Sequence, residues 1–371
     1  MATNKILLIT TGGTIAGNFS EDKRGGDIFD KKIGAHDFSI LIKPTASHFK
    51  KRWGIDIEIS TEELCNVDSS DILPEHWNGL VKIIVDKYDS YDSFIITHGT
   101  NTMGYTSAAL SFAISNLNKP VIITGSQVPS GMPGSDALTN LNNALRVAVW
   151  PYHPTVKGVV AVFGSHIITG SRVKKYTEFD YDAFQSFNTA SIGRLGRIIN
   201  INKINLEKHL NYLETDSYNK ALMAVDLIYK NDFDMRIASL TEFPGMSKDI
   251  FKSLVENNDI KGFVFRAFGA GDVSTKLQSA FEYLKDNEIP IVVTTQAPNG
   301  NSNFQVNEPG QKLLKNKLAI PAYDMSIESQ TTKLGWLLAQ KRNENLTYAD
   351  IIREMIHDIR GEVNVLKERK Q

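Results

Sequence analysis

Residues 6–17 of the chain read ILLITTGGTIAG, a strand pattern that runs directly into a glycine turn. The first four residues are apolar and two of them are β-branched, which predicts a strand buried on both faces. The two glycines allow a tight turn and let a ligand approach the backbone closely. Thr14, held at the end of such a strand, is a candidate nucleophile. An ordinary strand-to-loop turn has the same local pattern, so this stretch alone leaves both interpretations open.

A second stretch repeats this arrangement, since residues 93–110 read SFIITHGTNTMGYTSAAL. A short apolar strand runs into a Gly-Thr loop, and a helix is predicted immediately after it. Open α/β sheets bind ligands beyond the carboxyl ends of their strands, which is where both threonine loops are expected. His98, on the strand that enters the second loop, is predicted to be a packed core histidine rather than a ligand.

Composition narrows the class of protein. The chain has 371 residues, long for one domain and sufficient for two. Its formal net charge of −1 provides no broad field for nucleic acid or an anionic membrane, so we predict neither partner. No apolar run approaches the ~20 residues of a membrane helix. Cys65 is the only cysteine and the first strand begins near Lys5, so we expect a reducing, cytoplasmic location without a signal peptide.

Residues 1–200 alternate between strand and helix patterns, which predicts an α/β fold with a larger, open, mostly parallel sheet and flanking helices. The predicted strands are Lys5–Thr10, Ile55–Ser60, Ser93–Thr97, Val121–Thr124 and Gly158–Phe163. The predicted helices are His36–Phe49, Pro74–Asp86, Thr102–Ser115 and Ala137–Val149. Pro74 and Pro133 lie where the first turn of a helix accepts proline.

The rest of the chain predicts a second domain. Residues 201–235 are polar and lack a strong period, which favours a linker, and residues 236–371 predict a smaller C-terminal α/β domain. The strands expected there are Arg236–Leu240, Gly262–Arg266 and Ile291–Thr294, and the helices are Met246–Asn257, Val273–Asp286 and Ser326–Gln340. Thr347 followed by Asp350 predicts the capped start of a last helix.

The two threonine loops together resemble the paired signatures of the L-asparaginase family, TGGTI near the N-terminus and HGTDTM about ninety residues later. The resemblance is to the cytoplasmic, type I-like bacterial asparaginases and extends over nearly the whole chain. Its further matches are Thr124–Pro129, Gly134–Asp136 with Asn140, Arg172 with Lys175, and Ser326–Leu334. Two motifs at this spacing are a specific signal, whereas a lone Gly-Gly-Thr is not.

The resemblance implies an amidohydrolase. The sequence has neither His-x-x-x-His nor Cys-x-x-Cys and no phosphate-loop or dinucleotide glycine motif, so we expect no metal and no cofactor. Thr14 would attack the side-chain amide of L-asparagine, and an acyl-enzyme would release ammonia and then L-aspartate. Thr100 and Lys175 would transfer the protons. If the alignment with the family is shifted by one residue, Lys174 takes the place of Lys175. Backbone amides of the two loops would stabilise the oxyanion. Without the family, a solvated hairpin end is the preferred interpretation of Lys175.

Residues 67–71, VDSSD, match the loop with which these enzymes hold the substrate's carboxylate. Hydroxyl and backbone donors in Ser69 and Ser70 suit a carboxylate, whereas Asp68 more naturally orients the loop. The resemblance adds Thr100 and Asn101 to this substrate-binding set. From the residues alone, the stretch is an Asx-type helix start ahead of Pro74.

The chain departs from the family pattern at two places. Asn101 replaces the motif aspartate that faces the substrate's α-ammonium, so the sequence predicts weaker binding of a free amino acid and a Lys175 without its charge partner. The family also places a tyrosine in the mobile loop after Thr14, and none occurs before Tyr88. The loop offers RGGDIF at 24–29 instead, in which the glycines suit a lid and Asp27 lies near the tyrosine's place.

These departures keep other functions in consideration. The same chemistry on glutamine, or on a peptide-linked or tRNA-linked amide, is one alternative. A catalytically impaired amino-acid-binding homologue is another. The resemblance implies a homodimer or homotetramer in every case.

Overall fold

The computed structural model describes residues 3–13, 15, 17–21, 27–32, 35–149, 156–214 and 227–364. The chain divides into two compact units, residues 1–231 and residues 232–371. Both units are α/β, and the larger one contains the larger sheet, which confirms the predicted fold class.

Unit 1 contains fourteen strands and five helices among the described residues. The strands are β1 Thr3–Gly12, β2 Gly17–Glu21, β3 Asp27–Lys32, β4 Asp56–Val67, β5 Ser93–Thr97, β6 Ile114–Ser115, β7 Pro120–Thr124, β8 Gly158–Phe163, β9 His166–Thr169, β10 Val173–Lys175, β11 Phe184–Ser186, β12 Gly193–Leu195, β13 Ile199–Ile201 and β14 Ile228–Tyr229. The helices are α1 Ala35–Trp53, α2 Pro74–Asp86, α3 Met103–Ala113, α4 Ala137–Val149 and α5 Lys203–Glu214.

Eight of these strands form one sheet in the order β13-β12-β9-β8-β7-β5-β1-β4. The five strands from β8 to β4 are parallel, and β9, β12 and β13 extend the sheet with antiparallel pairings. The apolar run at the start of β1 is buried on both faces, as predicted, since residues 6–9 are at most 1% exposed. Helices α1 and α4 cover one face of the sheet.

The register of the central strands brings their carboxyl ends to one level. Thr10 of β1 pairs with Thr97 of β5, and Thr97 pairs with Thr124 of β7. The segments that follow β1 and β5 are the two predicted threonine loops. Parallel pairing therefore places these loops side by side at one edge of the sheet.

Two expectations from sequence differ from the structure in this unit. Helix α4 has the predicted bounds, Ala137–Val149, but Pro133 lies in the turn before it and not in its first turn. The Asp136 carboxylate accepts hydrogen bonds from the backbone N–H groups of Gln127 and Val128. These bonds hold the loop that contains Pro133 outside the helix. The interval 201–235 contains α5 and β14, and Leu206 of α5 is buried in the core.

Unit 2 has four parallel strands in the order β15-β16-β17-β18, with bounds Ile237–Thr241, Gly262–Ala267, Ile291–Thr295 and Ile320–Pro321. Its helices are α6 Asp249–Asn258, α7 Gln278–Asp286, α8 Glu308–Lys315, α9 Ile327–Glu344 and α10 Tyr348–Ile356. The side chain of Thr347 and that of Asp350 cap α10 reciprocally, as predicted. Helix α8 was missed because its first turn contains Pro309 and Gly310, which usually indicate a loop.

A buried ion pair joins α9 to the segment after α10. The side chains of Lys333 and Glu362 are both completely buried, with Nζ and Oε1 2.5 Å apart. Lys333 also donates to the carbonyls of Met355 and His357, and Glu362 accepts the backbone N–H of Arg360. Burial by itself raises the pKa of the Glu362 carboxyl, but the Lys333 ammonium and the backbone donors outweigh it and lower that pKa.

Across the described residues, no helix combines the length and the apolar character required to cross a bilayer.

The ion pair generates a stability prediction. The change Glu362→Gln leaves the Lys333 ammonium buried without a counter-charge, so we expect the free energy of unfolding to fall by about 3–5 kcal/mol. Because the folded-state pKa of Glu362 is lowered, its contribution is present above an ordinary carboxyl pKa of about 4.3 and is lost as the pH falls through the lower value. Denaturant unfolding across pH measures both effects. Glu308→Gln, which removes an exposed pair with Lys312, is the control and should change nothing measurable.

Candidate active site

Two glycines hold the threonine loops against each other. Gly13 has a φ of +79°, and a Cβ added there would overlap the backbone N and Cα of Gly99. A Cβ added to Gly99 would lie 2.6 Å from both Cβ and Oγ of Ser69. At Gly13 no other residue type fits against the neighbouring backbone, and at Gly99 a side chain would displace Ser69. The loops after β1, β4 and β5 therefore meet at a point that only glycine permits.

Backbone and hydroxyl hydrogen bonds fix the ends of these loops. The N–H of Gly13 donates to the carbonyl of Val67 at 2.9 Å, which ties the first loop to the end of β4. The hydroxyl of Thr11 donates to the carbonyl of Thr97 at 3.0 Å, which ties it to the end of β5. Thr14, the predicted nucleophile, lies outside the described residues, between Gly13 and Ile15 in the sequence. Arg24, Gly25 and Gly26 of the predicted lid lie outside them too, as does the side chain of Asp27.

Three threonines lie side by side on neighbouring strands of the sheet, below the site. Thr10, Thr97 and Thr124 lie level on β1, β5 and β7, and all three are buried. Their hydroxyls have no hydrogen-bond partner among the described residues. A buried hydroxyl without a partner does not stabilise a fold, so valine is expected to replace it without loss.

The serine loop after β4 is built as a capped turn. Asp68 Oδ1 accepts the backbone N–H of Ser70 at 2.8 Å, which makes Asp68 the cap of a short 3-10 turn at Ser69–Asp71. Ser69 is buried, and its hydroxyl accepts the backbone N–H of Asn101 at 3.2 Å. Its carbonyl accepts the hydroxyl of Thr102 at 2.6 Å. The turn thus joins the second threonine loop, and Asp68 orients it from an exposed position.

Lys175 reaches the second threonine loop from the end of β10. Its Nζ lies 2.9 Å from Oγ1 of Thr100, which is buried, and 3.3 Å from Oδ1 of Asn101. The Asn101 amide is oriented at both ends, because its Nδ2 donates to the Ser70 hydroxyl at 3.2 Å. The structure therefore brings Ser70, Thr100, Asn101 and Lys175 into one hydrogen-bonded group. Between the two register alternatives, Lys175 rather than Lys174 has the contact with Thr100.

The expectation that Lys175 lacks a charge partner was wrong. Glu178 Oε2 lies 2.8 Å from Lys175 Nζ, and this carboxylate belongs to the connection between β10 and β11. Sequence reasoning missed Glu178 because it considered a partner only at position 101. The available signal was the acidic residue three positions after Lys175 in the connection between the two hairpin strands, since a turn there brings such residues close together.

His98 supports the second loop from beneath. It is fully buried, which lowers its pKa to about 4, so the ring is neutral near pH 7. Its Nδ1 lies 2.7 Å from the carbonyl of Gly99, which only accepts, so the proton is on Nδ1. Nε2 then accepts from the hydroxyl of Thr106 at 2.8 Å, and that hydroxyl accepts from Nε1 of Trp77 at 3.0 Å. Both ring nitrogens of His98 therefore have hydrogen-bond partners in the core, which confirms that His98 is a packed histidine.

In the part of the chain that the structure describes, His, Cys, Asp and Glu side chains do not assemble in groups of three or more that suit a metal ion.

Comparison with known proteins identifies the family. Residues 5–209 match the model for the N-terminal domain of asparaginase, and residues 236–347 match the glutaminase/asparaginase C-terminal domain. The chain belongs to the asparaginase family. The resemblance stated from the motifs is therefore confirmed, and the chain is an amidohydrolase of this family.

Asparaginase relatives match along nearly the whole chain. The L-asparaginase of Thermococcus kodakarensis is 30% identical over 365 residues, which cover 97% of this chain and 99% of the relative. A glutamyl-tRNA(Gln) amidotransferase subunit of Aeropyrum pernix is 31% identical over 372 residues, 98% of this chain and 80% of the relative. The solved T. kodakarensis L-asparaginase superposes with a TM-score of 0.79 at 29% identity, covering 97% of this chain and 99% of the other. L-asparaginase I of Vibrio cholerae superposes with the same TM-score of 0.79, at 28% identity and with coverage of 98% and 100%.

Because Gly99 lies against Gly13 and Ser69, we expect position 99 not to tolerate a side chain. Gly99→Ala should destabilise the protein by about 1–3 kcal/mol, because the new methyl group overlaps Ser69 and displaces the loop that carries Thr100. Thermal unfolding and ammonia release measure the two consequences. Gly196→Ala is the control, since its Cβ would meet nothing nearer than 3.8 Å. Equal behaviour of the two variants would contradict the proposed constraint.

The state of His98 is directly observable. We expect ¹⁵N NMR to show the neutral Nδ1–H form at pH 7 and still at about pH 5.5, where an ordinary histidine is largely protonated. Its signals are assigned by their loss in His98→Gln. Protonation of His98 near pH 6.5 would contradict the buried, neutral assignment.

Proposed function

We propose that this chain hydrolyses L-asparagine to L-aspartate and ammonia, with Thr14 as the nucleophile. The observation that carries the proposal is the 2.9 Å contact between Lys175 Nζ and the Thr100 hydroxyl. Thr100 belongs to the loop that packs on Gly13, the residue before Thr14, and Lys175 reaches that loop from β10. A weak hydroxyl nucleophile needs such a proton-transfer group near it.

The proposed reaction has two stages. The Thr14 oxygen forms a bond to the amide carbon, and its proton passes through Thr100 and Lys175 to the leaving nitrogen. The C–N bond breaks, ammonia leaves, and an ester links Thr14 to the substrate. Water then adds to the ester carbon, which releases the carboxylate and returns the proton to Thr14. Backbone N–H groups of the glycine loops are proposed to stabilise the oxyanion in both stages.

The proposed substrate contacts are Ser69, Ser70, Thr100 and Asn101, with Asp68 as the cap that holds the serine turn in place. Asn101 offers an amide where the family motif has a carboxylate, so we expect a raised KM for a substrate with a free ammonium group. Support for a small amide comes from the T. kodakarensis L-asparaginase, of which the match covers 99%.

An amide on a larger molecule is the second candidate. Its support is the comparable identity to the A. pernix glutamyl-tRNA(Gln) amidotransferase subunit and the missing charge at Asn101. The match covers 80% of that relative and 99% of the asparaginase. A cytoplasmic location, assembly into a homodimer or homotetramer and the absence of a cofactor remain part of the proposal.

Ammonia release tests the proposed function. The full-length protein is assayed with L-asparagine, L-glutamine and a C-terminally amidated peptide. We expect turnover with L-asparagine, and we expect Thr14→Val to abolish it while the melting temperature stays close to that of the wild type, because valine keeps the β-branched shape. Thr10→Val is the matched control, since it removes a buried hydroxyl that has no partner among the described residues and should leave turnover intact.

Two results would contradict the proposal. Ordinary turnover by Thr14→Val would remove Thr14 from the nucleophile role. Binding of L-asparagine by the wild type without ammonia release would instead favour the binding-protein interpretation, and release only from the peptide would favour the larger substrate.

A further inference from the structure

The surroundings of Lys175 contain a carboxylate that the motifs do not predict. The ammonium has three N–H donors, and its three acceptors are Thr100 Oγ1 at 2.9 Å, Asn101 Oδ1 at 3.3 Å and Glu178 Oε2 at 2.8 Å. The Lys175 side chain is 14% exposed, whereas that of Glu178 is 72% exposed. A mostly buried ammonium is thus paired with a carboxylate that reaches it from the solvent side.

The connection that carries Glu178 is anchored on both sides. The N–H of Tyr176 donates to the carbonyl of Ala183 at 2.8 Å, so the hairpin pairing continues beyond Lys175. The hydroxyl of Tyr181 donates to the carbonyl of Gly134 at 2.6 Å. Thr177 accepts the backbone N–H of Phe179 at 3.1 Å, which closes a local turn around Glu178. The backbone that carries Glu178 is therefore fixed beside Lys175 by the fold of the hairpin.

We propose that Glu178 is a positioning residue that supplies the counter-charge of Lys175 in place of an acidic residue at position 101. This inference rests on the proposed function, in which Lys175 and Thr100 transfer the proton. A long lysine side chain has many rotamers, and a charged partner beside the ammonium favours the one that also contacts Thr100. The neutral Asn101 then contributes orientation through its amide, and the negative charge comes from the hairpin.

The competing explanation is a surface ion pair without consequence, which many exposed pairs are. The two explanations differ in what a carboxylate at position 101 does. Asn101 Oδ1 already lies 3.3 Å from Lys175 Nζ, so Asn101→Asp brings a charge to the same ammonium from another direction. A counter-charge is replaceable in this way, whereas a local packing contact of Glu178 is not.

The test is a double-mutant cycle measured by steady-state ammonia release. We expect Glu178→Gln to lower kcat by at least about tenfold while KM changes by less than about threefold. The double variant Glu178→Gln with Asn101→Asp should recover kcat to within about threefold of the wild type, which makes the two changes strongly non-additive. Glu178→Asp should retain more activity than Glu178→Gln, since it keeps the charge.

Asp180→Asn is the matched control. It removes the same charge from the same hairpin at an exposed position, and we expect kcat within about twofold of the wild type. If Glu178→Gln behaves like Asp180→Asn, or if Asn101→Asp fails to restore activity to Glu178→Gln, the counter-charge role is overturned. Melting temperatures of all variants identify any loss that comes from unfolding.

A second readout does not depend on turnover. Trace labelling with acetic anhydride, followed by mass spectrometry of the peptide that contains Lys175, reports how accessible and how strongly paired the amine is. We expect several-fold faster labelling in Glu178→Gln than in the wild type, and slower labelling again in the double variant. A wild type that releases no ammonia would overturn the proposed function, and the labelling pattern would still decide whether Glu178 holds Lys175. Unchanged labelling in Glu178→Gln counts against the inference whatever the activity is.

Discussion

The contact between Gly13 and Gly99 is the constraint on which the site depends. Parallel pairing of β1, β5 and β7 brings the loops to one edge of the sheet, but it is the missing Cβ atoms that let the two backbones touch. Ser69 packs against Gly99 in the same place, so the loop after β4 also contacts the loop after β5. Every side chain of the candidate site is positioned relative to this contact, which explains why glycine occurs at both loops.

Two kinds of support surround this contact. Beneath it, Trp77, Thr106 and His98 form a neutral chain of hydrogen bonds that ends on the Gly99 carbonyl, and burial keeps the histidine uncharged. Above it, Lys175 and Glu178 form a charged group that is open to solvent on one side. A neutral network suits a rigid foundation, because no charge must be desolvated. A charged group at the open side suits proton transfer.

Another lysine–glutamate pair of the chain lies in completely different surroundings. Lys333 and Glu362 have no exposed surface, and carbonyl and N–H groups satisfy both of them. Breaking that pair leaves a buried charge and destabilises unit 2. Breaking the Lys175–Glu178 pair leaves an ammonium that still contacts Thr100 and Asn101, so the expected loss is in rate and not in folding. Burial therefore separates a structural ion pair from one that we propose acts in catalysis.

The sequence by itself determined the α/β alternation and the family, because apolar runs, glycine turns and paired motifs are recorded in the sequence. The family resemblance then implied that Thr100, Asn101 and Lys175 belong to one site. The sequence also predicted the capped start of α10 at Thr347, because the capping pattern is local. Only the tertiary structure decided that Lys175 rather than Lys174 contacts Thr100, that Pro133 lies in the turn before α4, and that Glu178 supplies a carboxylate to the lysine. These features depend on hairpin register and loop packing, which bring together residues whose relation no local pattern records.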